Sequence, residues 1–359
     1  MNRVGIIGSG QLGWMMILES KPIGVEFNVF DIEPGPAATL ADRFFTTGSE
    51  NEFVRSSDAV TYEFEHVSDG AIDIAEREGK LFPNSLAINL KKERYREKEF
   101  LRNNGFPVAD FFVAKTLEDA RKKTEMFEKS VVKSSSGGYD GKGQEYVDGP
   151  HRDQLRMITD TYVIEEYIDY DFEASIIMSR DRNGGKMFFD PSLNVNHSGM
   201  LLYNSSPVND YGMRDIAAKL SDALDYVGVL SVEFFIKDGR PIINEFAPRV
   251  HNSGHHTLLG SSISQFEQHI RVVTGMPPMR PRLFCPSGIV NIVGREIDHK
   301  TREKLLEIDG SRIYWYGKQV RRRRKVGHVN LIGDDLPDLE AKIENVREIL
   351  YGDHMADFF

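Results

Sequence analysis

The chain has 359 residues, a formal net charge of −10 and a single cysteine. This length allows two or three domains with large cores, and one cysteine excludes a disulfide within the chain. The acidic balance disfavours broad binding to nucleic acid or to membrane surfaces, and no window has transmembrane length. A cytoplasmic protein is expected.

Strands and helices alternate at the start of the chain, which predicts a parallel sheet with helical crossovers. The predicted elements are strands at 3–7, 26–31 and 58–64, and helices at 11–20, 69–78 and 86–103. Phe106-Pro107 opens a second unit. Its predicted elements are helices at 117–128, 214–226 and 261–275, strands at 130–133 and 162–168, and an acidic hairpin. After the Pro-rich stretch at 276–286 we predict strands at 289–294, 312–317 and 328–333 and a helix at 336–350.

Two acids stand inside apolar strand patterns of that hairpin. Glu233 lies in LSVEFFI and Glu245 in PIINEF, and Asn252 follows shortly after. An acid in an apolar strand is costly to bury unless something neutralises it. Carboxylate and amide oxygens are hard ligands that suit Mg²⁺, which commonly completes its shell with substrate phosphates. The alternative is a hairpin with two solvent-facing acids.

The turn of the hairpin decides whether the two acids share a face. Glu233 and Glu245 are an even number of residues apart, so a two-residue Asp238-Gly239 turn would place them on opposite faces. A three-residue loop at 237–239, with Gly239 left-handed, would place them on one face. We predict the three-residue loop.

A glycine loop, Gly8-Ser9-Gly10-Gln11-Leu12-Gly13, follows the first strand, and Asp31 ends the second. Together they form the full dinucleotide fingerprint, typical of NAD-dependent dehydrogenases. A helix N-terminus also binds other phosphates, and a tight turn without a ligand is a further alternative. We favour a phosphorylated substrate.

A second glycine loop, residues 134–144, follows the strand that ends at Lys133. Its glycines would allow backbone N–H groups to surround an anion, with Lys133 and Lys142 supplying charge. It lacks the GK[ST] ending of a Walker A loop, and a flexible hairpin tip is the alternative.

Two further segments are ambiguous by themselves. Glu165 to Ile168, with Glu173 beyond it, could hold an adenine edge and ribose hydroxyls, although a solvated strand end is the simpler interpretation. The basic run 321–325 is either a solvated face or a phosphate clamp.

Taken together, these motifs resemble one family. The stretches GIIGSGQLGWMM, VTYEFEHV, SSGGYDGKGQ, GVLSVEFF, NEFAPRVHNSGHHT, SQFEQHIRVVTG and YGK…RRKVGHVNL are similar to the ATP-grasp 5-(carboxyamino)imidazole ribonucleotide synthetases of purine biosynthesis, over essentially the whole chain. The resemblance implies an α/β fold with a Rossmann-like domain (1–105), an ATP-grasp domain (106–278) and a small mixed C-terminal domain (279–359). It implies a ligase that uses ATP, Mg²⁺ and bicarbonate to carboxylate aminoimidazole ribonucleotide through carboxyphosphate. It also implies a homodimer with small-molecule substrates, which hands its labile product to the mutase of the next step.

The resemblance also assigns residues by position. ATP would be held by Arg94, Lys133, Gly138, Tyr139, Asp140, Gly141, Lys142, Gly143, Gln144, Glu165, Glu166, Tyr167, Ile168, Glu173, His197, Asn244 and Glu245. Glu233 and Glu245 match metal ligands. Tyr139, Asp140, Arg249, Asn252, Lys318, Arg324 and Lys325 match catalytic positions, and Gly10, Gln11, Leu12 and Asn252 match the ribonucleotide side. Arg321 to Arg323 are expected to be solvated.

The chain departs from the family pattern at a few positions. Trp14 stands where an arginine is usual, Ser134 to Ser136 replace frequently basic positions, and His66 replaces an asparagine. These departures concern the substrate phosphate, whereas the ATP and metal positions are intact. A dehydrogenase would leave the acidic hairpin and the second glycine loop unexplained. A formate-using ATP-grasp relative fits GGYDGKGQ and HNSGH less well, and intact Glu233, Glu245 and Lys133 argue against a silent homologue.

Overall fold

The computed structural model describes residues 3–67, 69–137, 143–148 and 153–359. The expected α/β class is confirmed. The first sheet is parallel, in the order β3-β2-β1-β4, with strands β1 (Arg3–Ile7), β2 (Glu26–Phe30), β3 (Arg43–Phe45) and β4 (Ala59–Tyr62). Its helices are α1 (Gln11–Ser20), α2 (Glu50–Arg55) and α3 (Asp69–Arg77), followed by α4 (Ser85–Lys92) and α5 (Arg94–Asn103).

The second sheet is small and antiparallel, in the order β5-β8-β6-β7. Its elements are β5 (Phe111–Ala114), α6 (Leu117–Thr124), β6 (Lys129–Ser134), β7 (Gln144–Asp148) and β8 (Tyr162–Glu166). The predicted helix at 117–128 therefore ends four residues early. Thr116 caps its start by accepting a hydrogen bond from the Asp119 N–H.

The third sheet runs through the rest of the described chain. Its strands are β9 (Phe172–Arg180), β10 (Lys186–Phe188), β11 (Ser192–His197), β12 (Met200–Ser206), β13 (Gly228–Lys237), β14 (Arg240–Ala247), β15 (Ser287–Val293), β16 (Ser311–Trp315) and β17 (Lys325–Ile332). Their order is β14-β13-β9-β11-β12-β15-β17-β16, with β10 beside β9. Its helices are α7 (Met213–Ala223), α8 (Thr257–Gly260), α9 (Gln265–Val273), α10 (His299–Leu306) and α11 (Leu336–Leu350). The C-terminal strands thus extend the sheet that carries the acidic hairpin, a continuity that the sequence did not indicate.

The single helix predicted at 86–103 is wrong. Glu93 adopts an extended conformation, with φ −134° and ψ 112°, so that α4 ends at Lys92 and α5 begins at Arg94. The Arg94 N–H donates to the Ser135 carbonyl at 2.7 Å instead of continuing a helix. This long-range bond turns the start of α5 towards the second glycine loop, which an amphipathic pattern cannot reveal.

One apolar cluster joins all three parts of the chain. It contains Met15 and Met16 of α1, Phe266 of α9, and Tyr314 and Tyr316 from the C-terminal region. Fully burying a large apolar side chain is worth about 1.5–3 kcal/mol, so this shared core holds the three parts in one arrangement. Among the described residues, no helix has both the length and the apolar character needed to cross a membrane.

Buried His269 leads to a prediction about pH and stability. Its Nδ1 accepts a hydrogen bond from the Val229 N–H at 2.9 Å, so Nε2 carries the proton and donates to Thr61 Oγ1 at 2.7 Å. Burial lowers the pKa of His269 to about 3. Between pH 6.5 and 3, His269 is protonated in the unfolded chain but neutral in the folded chain. The free energy of unfolding should therefore fall by about 1.4 kcal/mol per pH unit from this residue as the pH drops.

Urea unfolding between pH 7 and 5 measures this slope. His269→Gln should reduce the slope of the unfolding free energy against pH by an amount that corresponds to nearly one proton. His299→Gln, at an exposed position of α10, is the matched control. An unchanged slope in His269→Gln would contradict the lowered pKa of His269 and the burial that causes it.

Candidate active site

A cavity of 1260 Å³ opens where the three sheets meet. It collects most of the residues that the sequence assigned to the site. These are Gln11, Leu12, Arg94, Lys133, Gly143, Gln144, Glu165, Glu166, Tyr167, Ile168, Glu173, Glu233, Asn244, Glu245, Arg249, Asn252, Lys318, Arg324 and Lys325. The predicted loop residues Gly138, Tyr139, Asp140, Gly141 and Lys142 lie outside the described residues.

Both acids of the hairpin line this cavity, but the turn between their strands differs from the predicted one. Lys237 pairs with Arg240, so the turn has two residues, and Asp238 and Gly239 have φ values of 51° and 69°. The three-residue loop is therefore wrong, although Gly239 is left-handed as expected. A bulge at Asn244 shifts the register by one residue and places Glu233 directly opposite Glu245.

The two carboxylates have opposite electrostatic surroundings. Burial and the neighbouring charge of Glu245 raise the pKa of Glu233 well above its usual range. Burial alone would also raise the pKa of Glu245, but Lys91 and Arg94 lower it below its usual range. Lys91 Nζ lies 3.2 Å and Arg94 Nη1 3.8 Å from Glu245 Oε2. For Glu233, burial and Glu245 therefore outweigh the positive charges of Lys325 and Lys91.

These residues suit a divalent cation. The pair offers two facing carboxylates, and the neighbouring Asn244 Oδ1 is buried without a hydrogen-bond partner. His251 Nδ1 lies 3.4 Å from Glu233 Oε1. Within the described ranges, no cluster of three or more His, Cys, Asp or Glu side chains is arranged for a metal. A two-carboxylate site of this kind matches Mg²⁺ bound together with substrate phosphates.

Buried charges on α5, β6 and β8 form one end of the cavity. Glu165 lies between two lysines, with Lys98 Nζ 3.0 Å from Oε2 and Lys133 Nζ 3.0 Å from Oε1. Burial alone would raise the pKa of Glu165, but Lys133 and Lys98 lower it to about 2. Glu165 lines the cavity and also holds Lys133 in an ion pair, and its contact with the nucleotide stays a prediction. Arg94 lines the same end of the cavity.

The neighbouring wall is aromatic. The Tyr170 and Phe235 rings stack with their centroids 4.5 Å apart, and Phe235 lines the cavity. Tyr170 donates to Glu173 Oε1 at 2.7 Å. This combination of flat apolar surface and acceptor oxygens is suited to a nucleoside.

The first glycine loop already contains an anion from the chain itself. The N–H groups of Gly10 and Gly13 both donate to the Glu63 carboxylate, the latter at 2.7 Å. A Cβ on Gly10 would collide with Glu63 Oε1. Asp31 is also engaged, since it accepts from the Ser9 N–H at 2.8 Å and from the Ile32 N–H at 2.7 Å. Gly10, predicted to bind substrate, is absent from the described cavity lining, whereas Gln11 and Leu12 are part of it.

The same contacts argue against a dinucleotide. A pyrophosphate would need the amides that Glu63 occupies, and a ribose would need the Asp31 oxygens that accept from Ser9 and Ile32. We expect no binding of NADH at concentrations that saturate the protein with ATP. A calorimetric titration checks this, and a stoichiometric NADH isotherm would contradict it.

The C-terminal basic turn, residues 318–325, also contributes side chains to the cavity lining. Lys318 Nζ donates to Gln11 Oε1, which links the turn to the first glycine loop. Arg324 Nη1 donates to the Gln319 carbonyl at 3.2 Å. Arg321 and Arg322 are exposed, as expected for solvated side chains, whereas Arg323 is half-buried. All three also line the cavity. Arg321 donates to Gln319 Oε1 at 2.7 Å, Arg322 to the Phe359 carbonyl at 2.8 Å and Arg323 to the Ser198 carbonyl at 2.9 Å.

His197 does not join the described residues of the cavity wall. Its ring packs edge-on against Phe359, with the centroids 5.0 Å apart. The aromatic contact comes from the far end of the chain, so the local NVNHSGML pattern could not indicate it.

Sequence reasoning missed several residues of the site. Glu65 lines the cavity and forms an ion pair with Arg249 at 3.0 Å. Glu63 and Glu65 follow β4 at the carboxyl end of a parallel sheet, where ligands commonly bind, and this position was a usable signal. Lys91 and Lys98 carried no such signal, since both lie in an ordinary charged helix pattern.

Comparison with known proteins accounts for this arrangement. Three family models match: the ribonucleotide synthetase preATP-grasp domain at residues 1–92, the ATP-grasp domain at 99–266 and the phosphoribosylaminoimidazole carboxylase C-terminal domain at 287–342. The N5-carboxyaminoimidazole ribonucleotide synthase of Saccharolobus solfataricus is 44% identical, over 97% of this chain and 96% of its own. The Aquifex aeolicus enzyme of that name is 44% identical over 98% of both chains. The chain belongs to the N5-carboxyaminoimidazole ribonucleotide synthase family.

Solved structures of this family agree. The Aquifex aeolicus phosphoribosylaminoimidazole carboxylase ATPase subunit superposes with a TM-score of 0.85 at 42% identity, covering 97% of this chain and 99% of that one. The Staphylococcus aureus N5-carboxyaminoimidazole synthetase complexed with ADP has a TM-score of 0.88 at 30% identity, covering 95% and 97%. The Aspergillus clavatus synthase in complex with ADP and 5-aminoimidazole ribonucleotide has a TM-score of 0.87 at 25% identity, covering 97% and 98%.

Proposed function

We propose that this protein is an ATP-dependent ligase that carboxylates 5-aminoimidazole ribonucleotide on its exocyclic amine, in purine biosynthesis. The observation that carries the proposal is that the facing Glu233–Glu245 pair and the basic turn with Lys318 and Arg324 line one cavity. An acidic pair suits the cation of a nucleotide, and a basic wall suits a phosphorylated second substrate.

The proposed reaction begins with phosphoryl transfer. A bicarbonate oxygen attacks the γ-phosphorus of ATP, the bond to the β-bridging oxygen breaks, and ADP and carboxyphosphate result. Carboxyphosphate separates into CO₂ and phosphate. The amine of the ribonucleotide then forms a C–N bond to CO₂ and loses a proton, giving the carbamate. Catalysis rests on positioning and on charge neutralisation while water is kept out.

The residues divide between the two ends of the cavity. Arg94 and Lys133 would neutralise the nucleotide phosphates, with Glu165 orienting Lys133. Glu233 and Glu245, aided by the Asn244 amide oxygen, would hold Mg²⁺. When bound, Mg²⁺ neutralises phosphate charge and aligns the γ-phosphate.

The opposite end would bind the ribonucleotide. Lys318 and Arg324 supply charge, Gln11 and Leu12 supply the edge of the glycine loop, and Arg249 is oriented by its ion pair with Glu65. By resemblance, Tyr139 and Asp140 match positions near bicarbonate and the ribonucleotide.

The assembly and location belong to the same proposal. We infer a cytoplasmic homodimer that passes its labile carbamate product to the mutase of the next step. Family membership supports the biosynthetic role on which this inference rests. Sedimentation at micromolar protein concentration would test the dimer.

Product analysis tests the function itself. With ATP, Mg²⁺, ¹³C-bicarbonate and 5-aminoimidazole ribonucleotide together, we expect ADP, phosphate and a ¹³C-labelled carbamate in equal amounts. Omitting the ribonucleotide should abolish the carbamate. Formate replacing bicarbonate as the acyl donor, or a labelled product without ADP formation, would contradict the proposal.

A further inference from the structure

Lys98 is a charged residue whose position the proposed reaction does not explain. It lies on α5 and is 0% exposed. It is absent from the described cavity lining, whereas Lys133 and Glu165 are both part of it. Burying a lysine is costly unless its charge has a defined purpose or partner.

Its partner is Glu165, which one lysine alone could neutralise. Lys98 Nζ is 3.0 Å from Glu165 Oε2, and Lys133 Nζ is 3.0 Å from Oε1. One negative charge therefore stands between two positive ones. The triad keeps a net positive charge, and Lys133 is the member that lines the cavity.

The backbone fixes all three members of this triad. Glu165 lies on β8, which pairs with β6 so that Val131 faces Glu165 and Lys133 faces Val163. Lys98 approaches from α5, whose first residue, Arg94, is held by the Ser135 carbonyl. Lys98 thus pairs with Glu165 on the side away from the cavity lining, and Glu165 in turn orients Lys133, which lines the cavity.

We propose that Lys98 is a positioning residue for nucleotide binding: it shares the negative charge of Glu165, so that Glu165 does not fully engage Lys133 and the Lys133 ammonium can contact the nucleotide phosphates. Without Lys98, Glu165 would be neutralised by Lys133 alone, and the positive field in the cavity would fall. The inference rests on the proposed function only in requiring that the cavity binds ATP.

The experiment is calorimetric ATP binding to the whole protein, without bicarbonate or ribonucleotide. Lys98→Met should raise the Kd for ATP about tenfold, the effect of weakening one charge-assisted contact. The Kd for 5-aminoimidazole ribonucleotide, measured separately, should stay within about twofold, because Lys318 and Arg324, which we assign to that ligand, are not members of the triad. Arg102→Met removes a cation from the same helix, where Arg102 stacks on Phe111, and should leave both constants unchanged.

The pH dependence separates charge from packing. Burial, together with Lys98 and Arg94, lowers the pKa of Lys133, while Glu165 opposes this change. Glu173 and Glu245 also interact with Lys133. Losing Lys98 should raise the pKa of Lys133, so ATP binding should persist to higher pH in Lys98→Met than in the wild type. A packing defect alone would not shift the pH at which ATP binding is lost on the alkaline side.

Lys98→Gln keeps a polar group at this position, and it replaces Lys98→Met in the binding test if that variant does not fold. Its Kd for ATP should rise as in Lys98→Met, because charge is the property removed. An unchanged Kd for ATP, equal losses for both ligands, or an unmoved alkaline limb would overturn the proposal. Failure of the carboxylation assay would leave these binding results standing and would count against the proposed reaction alone.

Discussion

Glu233→Gln and Glu245→Gln should each lower the rate of ADP formation by about a thousandfold or more. The change removes one of two facing carboxylates, and an amide is a poor substitute as a ligand for a divalent cation. Losing several kcal/mol of charge stabilisation in phosphoryl transfer corresponds to this rate effect. The measurement is the initial rate of ADP release at saturating substrates, with folding checked by thermal unfolding.

Asp238→Asn is the matched control for both variants. It makes the same carboxyl-to-amide change on the same hairpin, at a turn position where asparagine tolerates the φ of 51°. It should retain near wild-type rates. Either glutamine variant at Glu233 or Glu245 working at ordinary Mg²⁺ concentrations would refute the assignment of the metal site.

Lys318→Ala should raise the KM for 5-aminoimidazole ribonucleotide by roughly ten- to a hundredfold and leave the KM for ATP nearly unchanged. Losing a charge-assisted phosphate contact costs about 1.5–3 kcal/mol. The contact between Lys318 Nζ and Gln11 Oε1 also connects the basic turn to the first glycine loop. Its loss should therefore weaken the ribonucleotide contacts of both segments. Full kinetics with each substrate varied in turn measure the two constants.

Lys300→Ala, an exposed change on α10, is the control for a lost cation in the same C-terminal region. Arg322→Ala is informative in a different way, because Arg322 holds the Phe359 and Ala356 carbonyls. We expect its effect to be smaller than that of Lys318→Ala and to appear partly as lower thermal stability. A rise confined to the KM for ATP in Lys318→Ala would mean that the turn serves the nucleotide instead.

The hairpin illustrates how far local patterns reach. Residue type, alternation and the Asp-Gly turn signal were sufficient to place two acids on adjacent strands. The prediction that they share a face was confirmed, but the reason given for it was wrong. The turn has two residues, and the bulge at Asn244 supplies the missing offset. A bulge depends on how β14 pairs with β13, and no single-strand pattern encodes that pairing.

The first glycine loop shows the opposite case. Its motif is a complete dinucleotide fingerprint, yet Glu63, 50 residues from Gly13, occupies its amides. The motif predicted the strand, turn and helix correctly, because those follow from glycine geometry and apolar spacing. It could not predict the ligand, because the occupant of the amides, Glu63, follows a different strand, β4.

The sequence by itself determined the α/β class, most helices and strands of the first sheet, and the chemical types of the site residues, since periodicity, turn residues and charged groups are local properties. Only the tertiary structure decided the break at Glu93, the extension of the third sheet by the C-terminal strands, and the Lys98–Glu165–Lys133 triad. It also brought Lys318 to Gln11 across 307 residues of chain. Such pairings depend on which distant side chains the shared core brings together, and burial then makes their charges depend on one another.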